Sequence, residues 1–372
     1  MIDLGPRNIV LFVHLGDGQV KHLLPNMERI RRQVSGSETQ VVLVATNEEL
    51  LKEATSRNFI SSRYITEPHI EKILDAHKNE HDHAFREGFW RYSLERLFAI
   101  PQIHEKYPNS RILHIESDIF TLPNFPYNSV FEKRTTLWCK FNESSDVGAL
   151  IYIPSVEESR KLKEDLLELL DEDFQLTDMS ALNSIAKNRR EIGYFPIAEK
   201  HDSTYLNSDI LTDTSARRVT QLFETFNGIF DPAPIGMYLL GQDPRNNWGF
   251  IKTNIELSHS AINVSSMKLN INQSGDLVTG LGVTIYCLHA HSKDLMLFSE
   301  TGDLHFKKLI AISSSSRKTS RFSLTAFLDL IRDYKRRKKL FRLFLNLPTI
   351  KSIRLFRSVA KLETLVKKWL TS

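Results

Sequence analysis

The chain has 372 residues, 41% hydrophobic and 25% charged, which allows a large core and excludes a disordered polymer; with Cys139 and Cys287 as its only cysteines, it is not a disulfide scaffold either. The net charge of +4 conceals a division, because residues 307–372 carry 18 Lys and Arg against 3 Asp and Glu, so a tail of +15 follows a body of −11. At about 150 residues per domain, two domains or one large domain with an appendage fit the length.

The opening residues, Met1-Ile2-Asp3-Leu4-Gly5-Pro6, show no basic segment leading into an apolar stretch. No apolar run reaches about 18 residues, so neither a signal peptide nor a membrane span is expected. Both cysteines sit in apolar, strand-like runs and read as buried, reduced thiols of a cytoplasmic protein.

In chain order, residues 8–17, NIVLFVHLGD, predict a buried parallel strand that ends in Gly and Asp. Residues 20–35, VKHLLPNMERIRRQVS, predict a helix with Pro25 at its start or at a kink. VVLVATN (41–47) repeats the strand pattern, 48–57 reads as helix, and 86–106 reads as helix interrupted near Pro101. RILHIESD (111–118) is the third apolar run; TTLWCKF (135–141), VGALIYIP (147–154) and a helix over 155–171 follow. This alternation predicts an α/β fold with a mainly parallel central sheet flanked by helices. Residues 178–254 read as irregular, and GVTIYCLHAH (282–291) as one last strand. The expected division is a body over 1–305 and a basic helical extension over 306–372.

Two motifs carry chemistry. Glu116 and Asp118, with Ser117 between them, leave the end of a strand, where ligands of parallel sheets collect. Two such carboxylates can converge on one divalent cation, or divide a cation and a sugar hydroxyl between them, or sit solvated in a turn. LHAHSKDL (288–295) sets His289 and His291 on one face of the last strand, then Ser292 and Lys293. Imidazoles suit Mn²⁺ or Zn²⁺, and an ammonium beside them could hold a phosphate oxygen. His81 and His83 read as solvated.

The order of these motifs resembles the GT-A class of glycosyltransferases, with Glu116-Ser117-Asp118 in the place of DxD. FWRYSLERLF (89–98) looks like the helix preceding that motif. TDMSALN (177–183) is similar to D-Q-x-x-L-N with Met179 for Gln, and FDPAPIGMYLLGQDPRN (230–246) looks like a segment of bacterial surface-polysaccharide transferases. The resemblance implies a GT-A-like, Rossmann-like sheet and transfer of a sugar from a nucleotide-diphosphate sugar to a glycan or lipid-linked acceptor. It implies Mn²⁺ or Mg²⁺ held by Glu116, Asp118, His289 and His291. His14, Asp17, Asn47, Arg91, Arg96, Glu116, Asp178 and Lys293 would bind the nucleotide sugar. If the reaction inverts the anomeric centre, Asp231 or Asp243 would be the base. Two alternatives stay open: a sugar-nucleotide nucleotidyltransferase, disfavoured by the lack of a basic residue in His14-Leu15-Gly16-Asp17-Gly18, and a non-catalytic polysaccharide-assembly protein.

In the tail, 322–345 and 350–370 alternate Leu, Ile and Phe with Lys and Arg around Pro348, the pattern of basic amphipathic helices. They fit an anionic surface on the inner face of the cytoplasmic membrane, or packing on the acidic body. Nucleic acid is not an expected partner, because no recognition motif or stacking platform accompanies the charge.

Overall fold

A computed structural model describes residues 5–16, 20–76, 89–172, 176–240, 259–291, 297–298 and 306. The tail over 307–372, together with Asp17, His81, His83, Asp243 and Lys293, lies outside the described residues. Among the described residues, no helix is long and apolar enough to cross a membrane.

The first half alternates strand and helix: β1 (Asn8–His14), α1 (Leu23–Gln33), β2 (Thr39–Ala45), α2 (Glu48–Ser56), β3 (Ile60–Arg63), α3 (Pro68–Ala76), α4 (Phe89–Lys106), β4 (Arg111–Ile115) and β5 (Ile119–Thr121). There follow α5 (Tyr127–Phe131), β6 (Leu137–Lys140), β7 (Asp146–Ile153), α6 (Val156–Glu172), α7 (Asp178–Asn188) and β8 (Gly193–Tyr194). Shorter pieces complete the described chain: α8 (Asp213–Arg218), α9 (Phe223–Phe226), β9 (Gly228–Ile229), α10 (Pro234–Leu240), β10 (Asn270–Ile271), β11 (Leu277–Val278), β12 (Thr284–Ile285) and β13 (Cys287–His289).

The main sheet has the order β3-β2-β1-β4-β7-β6-β8. β3, β2, β1 and β4 are mutually parallel, β7 runs against β4 and β6, and β8 is parallel to β6. Both faces are covered, which explains strands with apolar runs instead of strict alternation. In β1, Ile9 and Leu11 face a core built with Leu97 of α4, Leu166 of α6 and Leu182 of α7. Val10 and Phe12 face the opposite core with Met27 of α1, Ala54 of α2 and Val130 of α5. The expected α/β architecture with a mainly parallel, helix-flanked sheet is the observed one.

Three expectations need correction. Helix α4 runs unbroken through Pro101; Leu97, Phe98, Ile100 and Ile103 on either side are buried against the sheet, and their packing holds the helix across the missing N–H. The stretch expected to be irregular opens with the regular helix α7, whose N-cap Thr177 accepts from Ser180 N while the Ser180 hydroxyl accepts from Thr177 N. The last strand is two strands in different sheets. β12 joins a four-stranded sheet, β10-β11-β12-β9, and among the described residues β13 pairs only with β5. The switch falls at Tyr286, whose N–H donates to Ile229 O while its carbonyl accepts from Leu122 N.

Candidate metal centre and its surroundings

Beyond β4 the chain turns sharply. Glu116 N donates to Ala149 O at 2.9 Å, the last bond toward β7, and Ile119 N closes the turn on Glu116 O at 3.1 Å. β5 then pairs antiparallel with β13, His289 opposite Ile119, and Ala290 N donates to Asp118 O at 2.8 Å. This register draws together groups 171 to 173 positions apart in sequence. His289 Nε2 lies 3.2 Å from Glu116 Oε2 and 3.4 Å from Asp118 Oδ1.

A nitrogen facing two carboxylates either carries the proton they share or, deprotonated, joins them as a ligand. Glu116, Asp118 and His289 each offer one ligand atom within 4.8 Å of the others. Two carboxylate oxygens and one imidazole nitrogen suit a cation that accepts oxygen and nitrogen together, such as Mn²⁺. The donor set therefore fits a divalent cation. His291, the fourth expected ligand, lies outside this trio; its ring stacks on His289 with centroids 3.9 Å apart.

Arg96 extends the cluster. From α4 its Nη1 pairs with Glu116 Oε1, and its Nη2 donates to Asp178 Oδ2 at 2.7 Å. The Asp178 side chain thus joins the Arg96–Glu116 cluster, and Thr177 takes the capping duty that an Asp in this place often has. Gly148 of β7 leaves room for the guanidinium: a Cβ there would sit 3.3 Å from Arg96 Nη2. Beneath lies His114, two residues before Glu116 and fully buried. Burial, reinforced by the Arg96 charge, pushes its pKa down to about 3, so the ring is neutral and Nδ1–H donates to Leu11 O.

Other expected site residues have partners of their own. Arg91 is engaged by Asp75 at 2.5 Å and Glu95 at 3.4 Å. Asn47 accepts from Leu50 N as the N-cap of α2. His14 ends β1, half-buried and in register with Ala45. His14 and Asn47 do lie at the carboxyl ends of parallel strands, the edge from which Glu116 and Asp118 depart. Met179 packs half-buried on the core.

Asp231, expected as a base, has a different place. It is 3% exposed, and its oxygens accept from the backbone N–H groups of Ala233, Ile235, Gly236 and His289 at 2.7–3.0 Å. Burial pushes its carboxyl pKa up, against the pull of those four donors. With both oxygens committed and no open face, it is a fastener, tying the start of α10 to His289. The fastening is close: a Cβ on Gly236 would meet His289 O at 2.1 Å. Ala233, within this turn, adopts a φ of 119°, a strained value for a residue with a side chain.

Two sets of supporting residues escaped the sequence reading. Fully buried Asp146 accepts from Trp138 Nε1 (2.8 Å), Tyr194 Oη (3.0 Å), Asn183 Nδ2 (3.1 Å) and Lys140 Nζ (3.2 Å), locking α7 to β6 and β7. At the N-cap of α1 and along it, polar His22, Asn26, Arg29 and Gln33 face inward; their spacing of four, three and four was the available signal.

No protein-family model matches the chain, and neither does any curated protein sequence. Among solved structures, it is similar to the galactosyltransferase LgtC in complex with donor and acceptor sugar analogues (8% identity, 50% of this chain and 73% of that one, TM-score 0.36). A second LgtC structure, an active-site mutant, gives 12% identity over 57% and 83%, TM-score 0.39. The glycosyltransferase GlyE of Streptococcus pneumoniae TIGR4 gives 14% identity over 49% and 44%, TM-score 0.33. All three TM-scores lie below 0.5, so the chain's own geometry is what speaks for an activity.

Proposed function

We propose that this chain is a glycosyltransferase that moves a sugar from a nucleoside-diphosphate sugar to a hydroxyl of a glycan or lipid-linked acceptor, assisted by Mn²⁺ or Mg²⁺. The observation that carries the reading is the meeting of Glu116, Asp118 and His289 at the carboxyl ends of parallel strands, where open α/β sheets take their ligands.

Bound by those three residues, a divalent cation would offset the negative charge that grows on the departing diphosphate. The chain's own groups do the rest. Arg96 and Asp178 set a guanidinium and a carboxylate next to the trio, suited to hold sugar hydroxyls in place. Lys293, four residues beyond His289, supplies a further positive charge for the diphosphate. With Asp231 committed to the backbone, Asp243 is the candidate to deprotonate the acceptor in an inverting reaction. The basic tail would hold the enzyme near an anionic, lipid-bearing surface.

Isothermal titration with UDP-, GDP- and CDP-sugars, with and without Mn²⁺, tests the donor class. Asp118→Asn is expected to abolish metal-dependent turnover. No binding of any nucleotide sugar, or full metal-dependent activity in Asp118→Asn, overturns the reading.

A further inference from the structure

A β-strand has hydrogen-bonding groups on both edges, and buried ones need partners. Among the described residues, β5 has a strand on one edge only. Its even-numbered neighbourhood faces β13, as shown by Ala290 N donating to Asp118 O and Leu122 N to Tyr286 O. The carbonyls of Ser117, Ile119 and Thr121 face α1. There Asn26 Nδ2 donates to both Ser117 O (3.0 Å) and Ile119 O (2.8 Å). Arg29 donates to Thr121 O and, at 3.0 Å, to Thr121 Oγ1, with its guanidinium 4.0 Å over the Phe120 ring. Gln33 Nε2 reaches Thr121 O and Leu122 O at 3.3 Å, and His22 Nε2 meets the Ser117 hydroxyl at 3.2 Å. Side chains of one helix thus stand where a neighbouring strand would.

We infer that Asn26 is a positioning residue for the acid pair: by clamping the Ser117 and Ile119 carbonyls toward α1, it turns the Glu116 and Asp118 carboxylates toward His289. The site of action is specific. The two clamped carbonyls flank Asp118, and the turn they define holds both acids. Asn26 is 0% exposed, yet its Oδ1 has no hydrogen-bond partner among the described residues. An amide buried with one end unsatisfied is a poor choice for stability alone, whereas its donor end reads two successive outward carbonyls of a single turn. The inference rests on the reading of Glu116 and Asp118 as ligands, and its test separates the two.

Asn26→Leu keeps most of the buried volume and removes both donors; Asn26→Ala removes the donors and the volume. In whichever variants fold, Mn²⁺ affinity by isothermal titration is expected to fall about 10–100-fold, as for other groups that orient metal ligands. Amide hydrogen exchange over 117–121 should accelerate at least about tenfold, with exchange in β2 unchanged. A folded variant with wild-type Mn²⁺ affinity and unchanged exchange over 117–121 overturns the inference. So does acceleration spread evenly over β1, β2 and β5, which marks a general loss of stability. Should wild-type protein bind no Mn²⁺, the ligand reading falls and exchange alone decides: local acceleration over 117–121 upholds the clamp, and its absence removes it.

Discussion

The backbone N–H of His289 donates to the Asp231 carboxylate at 3.0 Å, and the same oxygen accepts from Gly236 N at 2.7 Å. One buried acid therefore joins the turn before α10 to the strand that carries the imidazole. Its four backbone donors would be left without a partner if the carboxylate were removed, each at about 1–3 kcal/mol.

Asp231→Ala should accordingly lower stability by at least about 3 kcal/mol, read by urea unfolding. Gly236→Ala should be comparably damaging, because its methyl group would overlap the His289 carbonyl. A base would behave otherwise: its replacement would stop turnover and leave unfolding unchanged. Wild-type urea midpoints for both variants would return Asp231 to the catalytic candidates.

Arg96 holds Glu116 and Asp178 at once, and so competes with any cation for Glu116. Arg96→Gln should tighten Mn²⁺ binding by about tenfold or more, since a positive charge a few ångströms away costs on the order of 1–4 kcal/mol. The same variant should turn over more slowly, having lost the guanidinium proposed to hold sugar hydroxyls. Weaker Mn²⁺ binding in Arg96→Gln would show that the guanidinium organises the ligands instead of opposing the ion.

Removing the Asp146 carboxylate strands Lys140, whose side chain is 3% exposed, along with Trp138, Asn183 and Tyr194. Asp146→Ala should cost about 3–5 kcal/mol. Adding Lys140→Met should recover part of that by removing the stranded charge. A loss below about 1 kcal/mol in the single variant would mean that water reaches the site and replaces the carboxylate.

His104 and His114 are both held below the ordinary histidine pKa, chiefly by burial. The unfolded chain therefore binds protons that the folded chain refuses as pH drops below about 6.5. Stability is full above that value and falls at lower pH, by up to about 1.4 kcal/mol per pH unit for each histidine. For His114 the fall continues toward pH 3. Urea unfolding at pH 7 and pH 5 reads this before most carboxylates titrate. Equal stability at the two pH values would mean that these rings are protonated in the folded protein.

Much of the fold could be read in advance. Apolar runs such as Ile9–Val13 and Val41–Ala45 are too short for buried helices and too continuous for half-exposed strands, so a sheet covered on both faces was the economical solution. Short β5 and β13 were not separable as strands, because two or three residues carry no period. Helix α7 was hidden by its Thr-Asp opening and polar residues, which read locally as loop although Ala181, Leu182 and Ile185 face the core.

By itself, the sequence determined which side chains are available for chemistry and that they follow strand ends: two acids after β4, two histidines near 290, a parallel sheet to carry them. Those are local facts of composition and period. Only tertiary structure decided who meets whom. Pairing of β5 with β13 brings His289 to Glu116 and Asp118, Arg96 and Asp178 are joined across two helices, and Asp231 is taken from solvent and given to the backbone. Such outcomes depend on register and on burial of hydrogen-bonding groups, which are satisfied between segments far apart in the chain and leave no mark in either segment alone.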